Sequence, residues 1–110
     1  MAIKPFLLMM IASLCPALAC AESGYGLSAA LSRAAPDADP QVIELAVQSA
    51  QCRMSTSGTS TTKLAVIDYS RPSTEPRLWV FDLDTRTLLF HELVAHGRNS
   101  GENLATQFSN

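Results

Sequence analysis

The sequence has little charge and no strong excess of either sign. Eight lysines and arginines stand against ten aspartates and glutamates in 110 residues, and the formal net charge is -2. A chain in which 47% of the residues are apolar is not a disordered acidic tail, and it lacks the basic surface that binds nucleic acid. We therefore expect no nucleic-acid partner, and the charge indicates no other partner class.

Several short motifs that carry chemistry are also missing. The sequence has no glycine-rich phosphate loop, no zinc-ligand spacing and no basic stripe interleaved with aromatic residues. Cysteine is scarce, with three residues at positions 15, 20 and 52. We accordingly expect neither a cofactor nor a metal ion.

The N-terminal residues have the pattern of a secretory signal peptide. Lys4 precedes an apolar run at residues 6–14, and small residues follow up to Ala21. The run is far shorter than the ~20 residues that span a bilayer, so no stable transmembrane segment is expected. We predict that residues 1–21 are a signal and that the protein is exported, periplasmic or extracellular. A buried N-terminal helix is the alternative interpretation.

The fate of two cysteines depends on the cleavage site. Cleavage after Ala19 or after Ala21 fits the pattern, and only the former leaves Cys20 as a free thiol in an oxidising compartment. Cys20 also permits a lipid anchor, although Ala17 stands where leucine is preferred. Cys52 has no base beside it in sequence, so we interpret it as a structural or spare thiol rather than a nucleophile.

Residues 22–62 predict a helical segment and a linker. Residues 23–26 indicate a flexible lead-in, after which apolar residues from Leu27 to Ala34 recur at helical spacing. Asp39 and Pro40 are typical of a helix start, and this second helix is predicted to continue to about Met54. The small polar residues that follow predict a linker.

Residues 63–110 change to a strand pattern. Residues 64–69 predict one strand, and two prolines in the following segment predict a surface loop. Residues 77–82 and 87–95 flank a short polar segment, which is the layout of an antiparallel hairpin. Alternation in the first arm places Trp79 and Phe81 on one face and bulky apolar residues on the other, so both faces are expected to need cover.

The loop after the last strand, residues 96–103, holds the candidate ligand-facing side chains. These are His96, Arg98, Asn99 and Ser100. The competing interpretation is an ordinary turn with two glycines at positive φ. Ser100 lacks the Gly-x-Ser-x-Gly spacing of a nucleophile elbow, and His91 and His96 are about 16 Å apart along a strand, so neither chemistry is predicted for them.

Two motifs taken together indicate a family. The first is the loop Ser70-Arg71-Pro72-Ser73, and the second is Ala95-His96-Gly97-Arg98-Asn99-Ser100-Gly101. With the strands between them and the final residues 105–110, they resemble the murein L,D-transpeptidase catalytic domain family, a branch of the YkuD-like proteins. The resemblance covers the region from Leu64 to the end, and the second helix is similar to the segment that precedes the domain in such proteins.

The resemblance implies an extracytoplasmic, mainly antiparallel β-sandwich-like domain that transfers acyl groups on peptidoglycan stem peptides. In that family a cysteine thiolate in a Ser-x-Gly-Cys segment attacks a peptide carbonyl, and a histidine in a His-Gly segment shortly before it is the base. No segment here corresponds, so neither Cys52 nor His96 inherits a catalytic role. We carry over no catalytic residue.

The sequence thus predicts an α+β fold in which short helices precede the first strands of an incomplete domain. The leading functional interpretation is the N-terminal fragment of an exported L,D-transpeptidase-like protein, inactive alone and prone to self-association through exposed strands. A non-catalytic periplasmic module that binds peptidoglycan or a protein is the alternative. A small secreted domain held by a bridge between Cys20 and Cys52 is the third interpretation.

Overall fold

A computed structural model describes the backbone of residues 16–108 and the side chains of residues 24–108. Two helices precede three strands, namely α1 (Pro16–Ala34), α2 (Pro40–Ser57), β1 (Lys63–Ile67), β2 (Leu78–Asp82) and β3 (Thr87–Glu92). The predicted α+β class and element order are confirmed. Residues 1–15 of the predicted signal lie outside the described part. No described helix has the length and apolar character needed to cross a membrane.

Helix α1 is longer than the sequence predicted. The flexible lead-in expected at residues 23–26 is wrong, because these residues lie inside the helix. Gly24 is buried there, and a Cβ atom at this position would lie 2.5 Å from Oε1 of Gln51 on α2. The missing side chain therefore lets the two helices approach closely, and this contact between distant parts of the chain is invisible to local sequence patterns.

Helix α2 begins where the sequence predicted and ends three residues later. Oδ1 of Asp39 accepts a hydrogen bond from the backbone N–H of Gln41 at 2.8 Å, and Pro40 occupies the first turn. At the other end, Gly58 caps the helix with φ of 66°. The hydroxyls of residues 55–57 donate to carbonyls of the preceding turn within the helix, so the linker is shortened to residues 58–62.

The three strands form one antiparallel sheet in the order β1-β2-β3. The predicted hairpin between β2 and β3 is confirmed, and Asp82 organises its turn by accepting hydrogen bonds from the backbone N–H groups of Asp84 and Thr85. Nζ of Lys63 on β1 contacts the same carboxylate at 2.6 Å. Asp82, the last residue of β2, therefore fixes the turn through its side chain.

Strand β3 ends at Glu92, three residues before its predicted end. The last backbone pairing runs from the Arg77 N–H to the Glu92 carbonyl at 3.1 Å. The preceding residue is Pro76, which has no N–H to donate to a longer ladder. The carbonyl of Val94 is instead bound by the side chain of Arg77, and the chain leaves the sheet.

The two faces of the sheet differ in cover, although both carry apolar residues. The helices bury one face, and the core consists of Leu31, Ala35, Ala38, Ile43, Val47, Val66, Trp79 and Phe81. On the opposite face Phe90 is 57% exposed and Ile67 is 37% exposed. The prediction that each face needs cover is thus met on one face by the helices, and the second face is open among the described residues. We call it the open face, and its members include Ile67, Val80 and Phe90.

Candidate functional site

Two segments meet beside the ends of β1, β2 and β3. The first is the β1–β2 loop, residues 68–77, and the second is the C-terminal segment, residues 93–108. The backbone N–H of Ser73 in the loop donates to the carbonyl of Asn103 in the segment at 2.7 Å. The structure therefore brings together the two motifs that lie more than 20 residues apart in sequence.

Arg77 is the centre of this junction, and its side chain is fully buried. Nε donates to the carbonyl of Val94 at 3.0 Å, and Nη1 donates to the carbonyl of Arg71 at 2.8 Å. Nη2 donates to Nδ1 of His96 at 2.8 Å. One guanidinium thus joins the loop to the C-terminal segment through three hydrogen bonds in fixed directions, which is the geometry that arginine offers and lysine does not.

The charge of Arg77 is stabilised without a carboxylate. The ion pairs in the described part of the chain are Lys63 with Asp82 and Arg71 with Asp68, and neither includes Arg77. The guanidinium carbon lies 5.0 Å from the ring centroid of Tyr69, so the aromatic face contributes a cation–π contact. Carbonyl dipoles, an imidazole nitrogen and this ring together take the place of a counterion.

A second polar group shapes the β1–β2 loop. Asp68 is 5% exposed, and its Oδ1 accepts hydrogen bonds from the backbone N–H and the hydroxyl of Ser70. Its other oxygen lies 3.8 Å from Nε of Arg71. Arg71 also reaches the carbonyl of Asp37 between the helices and lies over the ring of Trp79 at 5.1 Å. These contacts fasten the loop to the helical layer.

The hydrogen bonds of His96 define its tautomer. Arginine is always a donor, so Nδ1 of His96 accepts from Arg77 and carries no proton. Nε2 lies 3.1 Å from the carbonyl of Gly101, which only accepts, so Nε2 carries the proton. In this tautomer both ring nitrogens of His96 are engaged by protein atoms. The imidazole braces the loop, and whether His96 contacts a ligand stays a prediction.

The rest of the predicted loop folds as a compact turn. The N–H groups of Thr106 and Gln107 both donate to the carbonyl of Ser100 at 2.7 and 3.1 Å. Gly101 has φ of 132°, and a Cβ atom there would lie 2.1 Å from the carbonyl oxygen of Leu104, so this position requires glycine. The turn interpretation of the motif is thus correct for its backbone, and Gly97 is not among the glycines with positive φ.

The exposed side of this turn carries the remaining candidate residues. Arg98 and Asn99 are exposed, and Ser100 is half-buried. Asn99 and Ser100 line a surface pocket of about 360 Å³ together with Gln107 and Phe108. The pocket offers two amides, a hydroxyl and an aromatic ring, and Arg98 lies beside Asn99 in the chain. Such groups bind polar ligands with amide or carboxylate functions.

No constellation for covalent chemistry is present in the part of the chain that the structure describes. Cys52 is exposed near the end of α2, and its thiol takes part in none of the hydrogen bonds found there. His91 stacks on Trp79 at 4.9 Å between ring centroids rather than pairing with a nucleophile. No cluster of three or more histidine, cysteine, aspartate or glutamate side chains that could bind a metal occurs in residues 24–108. The described arrangement can bind and position a ligand.

Sequence reasoning missed the residues that hold the site together, namely Arg77, Asp68 and Tyr69. A signal for two of them was present. Side chains two residues apart on a strand point to the same face. Arg77 is two residues from the buried Trp79, and Asp68 is two residues from the buried Val66, so both point toward the helix-covered side at strand ends. A polar residue that continues a buried stripe is a candidate for a satisfied internal contact.

Comparison with protein families gives one clear result. Residues 34–110 match a family model described as an L,D-transpeptidase catalytic domain. The match begins at the last residue of α1 and includes α2, the whole sheet and both segments of the site. No curated protein and no solved structure matches the chain significantly.

Proposed function

Since the chain belongs to the L,D-transpeptidase catalytic domain family, we propose that it acts on peptidoglycan stem peptides without supplying the nucleophile of the reaction. The family match over residues 34–110 is the observation that carries this proposal. Acyl transfer of this type needs a thiolate next to a base and an oxyanion site. The binding part of that task fits the polar groups around the C-terminal segment.

The cysteines of this sequence support the second half of the proposal. Cys52 is the single cysteine within residues 34–110, and it lies exposed on α2. The Ser-x-Gly-Cys segment expected of the family has no counterpart in residues 1–110. We therefore assign this chain the helical layer, the first three strands and the ligand-facing turn of the domain, and we assign it no catalytic residue.

The proposed ligand contacts are on the outer side of the turn. Arg98 supplies a cation for a stem-peptide carboxylate, and the side chains of Asn99 and Ser100 supply hydrogen bonds for peptide groups. His96 contributes indirectly, because its two internal hydrogen bonds fix the backbone of that turn. A turn whose backbone is already fixed loses less conformational entropy when a ligand binds to it.

Co-sedimentation with purified peptidoglycan sacculi tests the proposed binding. We expect the full chain to bind, and the double variant Arg98→Ala with Asn99→Ala to bind about tenfold more weakly, since loss of one charge-assisted hydrogen bond has this order of effect. Arg86→Ala is the matched control, because Arg86 is an exposed arginine in the turn between β2 and β3. Equal binding by the double variant and the control variant would refute the assignment.

Export is part of the same proposal. The charged start, the short apolar run and the small residues before position 22 support a cleaved signal and an extracytoplasmic protein. Mass spectrometry of the unreduced mature chain is the test. We expect an N-terminus at Cys20 or Glu22; a lipid mass on Cys20 identifies an anchor, and a loss of two hydrogens identifies a bridge between Cys20 and Cys52. An unprocessed chain would contradict export.

The open face supports a second candidate, a non-catalytic module that associates with itself. Phe90 and Ile67 are exposed apolar side chains on the open face of the sheet. Exposed apolar strands of this kind favour association. Sedimentation velocity across a concentration series tests this. We expect Phe90→Lys to abolish concentration-dependent association and Leu45→Lys to retain it, because Leu45 is equally exposed but lies on α2. A wild-type chain that stays monomeric at every concentration would exclude the candidate.

A further inference from the structure

We propose that the contact between Arg77 and His96 is a proton-sensitive latch that holds the C-terminal segment in its folded turn. This role is separate from ligand binding, because an internal pair of residues controls the conformation of the turn. It rests on the direction of two hydrogen bonds and on the backbone contacts that depend on them. Neither residue has a part in the acyl transfer chemistry described above.

The donor and acceptor groups of the Arg77 and His96 side chains explain why their contact is sensitive to protonation. Nη2 of Arg77 can only donate, so the 2.8 Å contact exists only while Nδ1 of His96 is free of a proton. Protonation turns Nδ1 into a second donor and gives the imidazole a positive charge directly against a buried guanidinium. Two donors cannot share one hydrogen bond, and two cations in contact repel each other. Protonated His96 therefore leaves this position.

The charged groups around the pair do not offset that repulsion. Arg77 comes from the start of β2, and the β1–β2 loop contributes Tyr69 over Arg77 and the ion pair of Asp68 with Arg71. The connection between the helices contributes the carbonyl of Asp37, which accepts a hydrogen bond from Arg71. Within the segment itself, Arg98 and Glu102 are exposed. The carboxylate of Asp68 is already bound to Arg71 and Ser70.

Release of His96 reaches the ligand-facing turn through the backbone. Nε2 of His96 holds the Gly101 carbonyl, and the adjacent Ser100 carbonyl holds the N–H groups of Thr106 and Gln107. Ser100 and Gln107, which share one of these hydrogen bonds, also line the pocket together with Asn99 and Phe108. When the imidazole departs, the turn loses the contact that ties residue 96 to residue 101, and the pocket opens with it.

Residue-resolved amide exchange of the full chain tests the latch. Because intrinsic exchange slows in acid, the quantity compared is the protection factor. We expect the protection factors of Thr106 and Gln107 to fall at least about tenfold over the pH interval in which the His96 ring is observed to take up a proton. The Leu83 N–H, which donates to the Thr62 carbonyl at the end of the sheet away from Arg77, keeps its protection and is the internal control.

Nitrogen-15 spectra of the imidazole rings provide the second measurement, and they need no variant. At pH 8 the His96 ring should be neutral with its proton on Nε2, and the fall in protection should follow the titration of this ring rather than that of His91, the other histidine of the chain. His96→Asn retains an acceptor near Arg77 but cannot titrate. The protection factors of Thr106 and Gln107 in this variant should therefore not change with pH. A His96 ring protonated on Nδ1 at pH 8, or protection that survives its titration, would overturn the proposal.

Discussion

At the scale of single residues, the site is built around a buried cation whose partners are all neutral. An unpaired charge in a protein interior is costly, yet Arg77 is fully buried and makes three directed hydrogen bonds and one aromatic contact. These bonds join two segments of the chain, the β1–β2 loop and the C-terminal segment, that local sequence leaves unrelated. The residue therefore determines where the β1–β2 loop and the C-terminal segment lie relative to each other.

Replacing Arg77 by lysine should be strongly destabilising although the charge is kept. A lysine reaches one of the three acceptors, and the others stay buried without a donor. We expect the free energy of unfolding in urea to fall by about 2 to 4 kcal/mol. The control is Arg98→Lys at an exposed position, which should change stability by less than about 0.5 kcal/mol. Equal effects of the two substitutions would show that Arg77 is not the junction described here.

Asp82 gives the chain a pH dependence with a defined sign. The side chain of Lys63 and the backbone N–H of Thr85 hydrogen-bond to its carboxylate and lower its pKa from 3.8 to about 2. The pKa is lower in the folded state, so the carboxylate stabilises the fold above about pH 4, and this contribution is lost as pH falls toward 2. The stability difference between the wild type and Asp82→Asn should shrink over that interval.

Urea unfolding at a series of pH values measures this difference. Asp84→Asn is the matched control, because Asp84 lies in the same turn and its exposed side chain makes no hydrogen bond or ion pair with the described residues. Its stability difference from the wild type should stay constant between pH 4 and pH 2. A constant difference for Asp82→Asn as well would contradict the assigned role of the Lys63 contact.

At the scale of helices and strands, the sequence predicted what local signals decide. Asp39 and Pro40 define the start of α2 because capping depends on neighbours in sequence. The hairpin between β2 and β3 was predictable because two strand-like segments flank a four-residue polar turn. The start of α1, the helical state of residues 23–26 and the end of β3 were not predictable in this way. They depend on Gln51 facing Gly24 and on Arg77 capturing Val94, which are contacts between distant residues.

The N-cap of α2 should make a measurable contribution to stability. Asp39→Ala removes the acceptor for the Gln41 N–H, and we expect a loss of about 1 kcal/mol. Asp37→Ala is the control, because Asp37 is also exposed in the connection between the helices and is bound through its backbone carbonyl, which alanine retains. Thermal unfolding monitored by circular dichroism compares the two. A larger loss for Asp37→Ala would argue against the cap.

The two faces of the sheet should respond differently to loss of the same side chain. Phe81 is fully buried against the helices, so Phe81→Ala should cost about 3 to 5 kcal/mol through lost burial and a cavity. Phe90 is 57% exposed on the open face, and Phe90→Ala should cost less than about 1 kcal/mol. Urea unfolding of both variants measures the contrast. Similar losses would mean that the open face is covered in solution.

At the scale of the whole molecule, the sequence identified the family and the fold class but not the mechanics of the site. Two separated motifs indicated the L,D-transpeptidase family, and the match over residues 34–110 establishes it. The structure explains why both motifs are needed, since the loop after β1 and the segment after β3 form one junction. Their connection through Arg77 could not be read from either motif, because each one lacks the residue that joins them.

We propose that this chain carries the binding and scaffolding part of such a domain and does not itself supply the nucleophile. The most direct measurement is to incubate the full mature chain with a defined stem tetrapeptide donor and an acceptor stem peptide, and to search by mass spectrometry for a cross-linked product or an acylated cysteine. We predict neither, for the wild type and for Cys52→Ser alike. A cross-linked product that forms with the wild type and disappears in Cys52→Ser would contradict the claim.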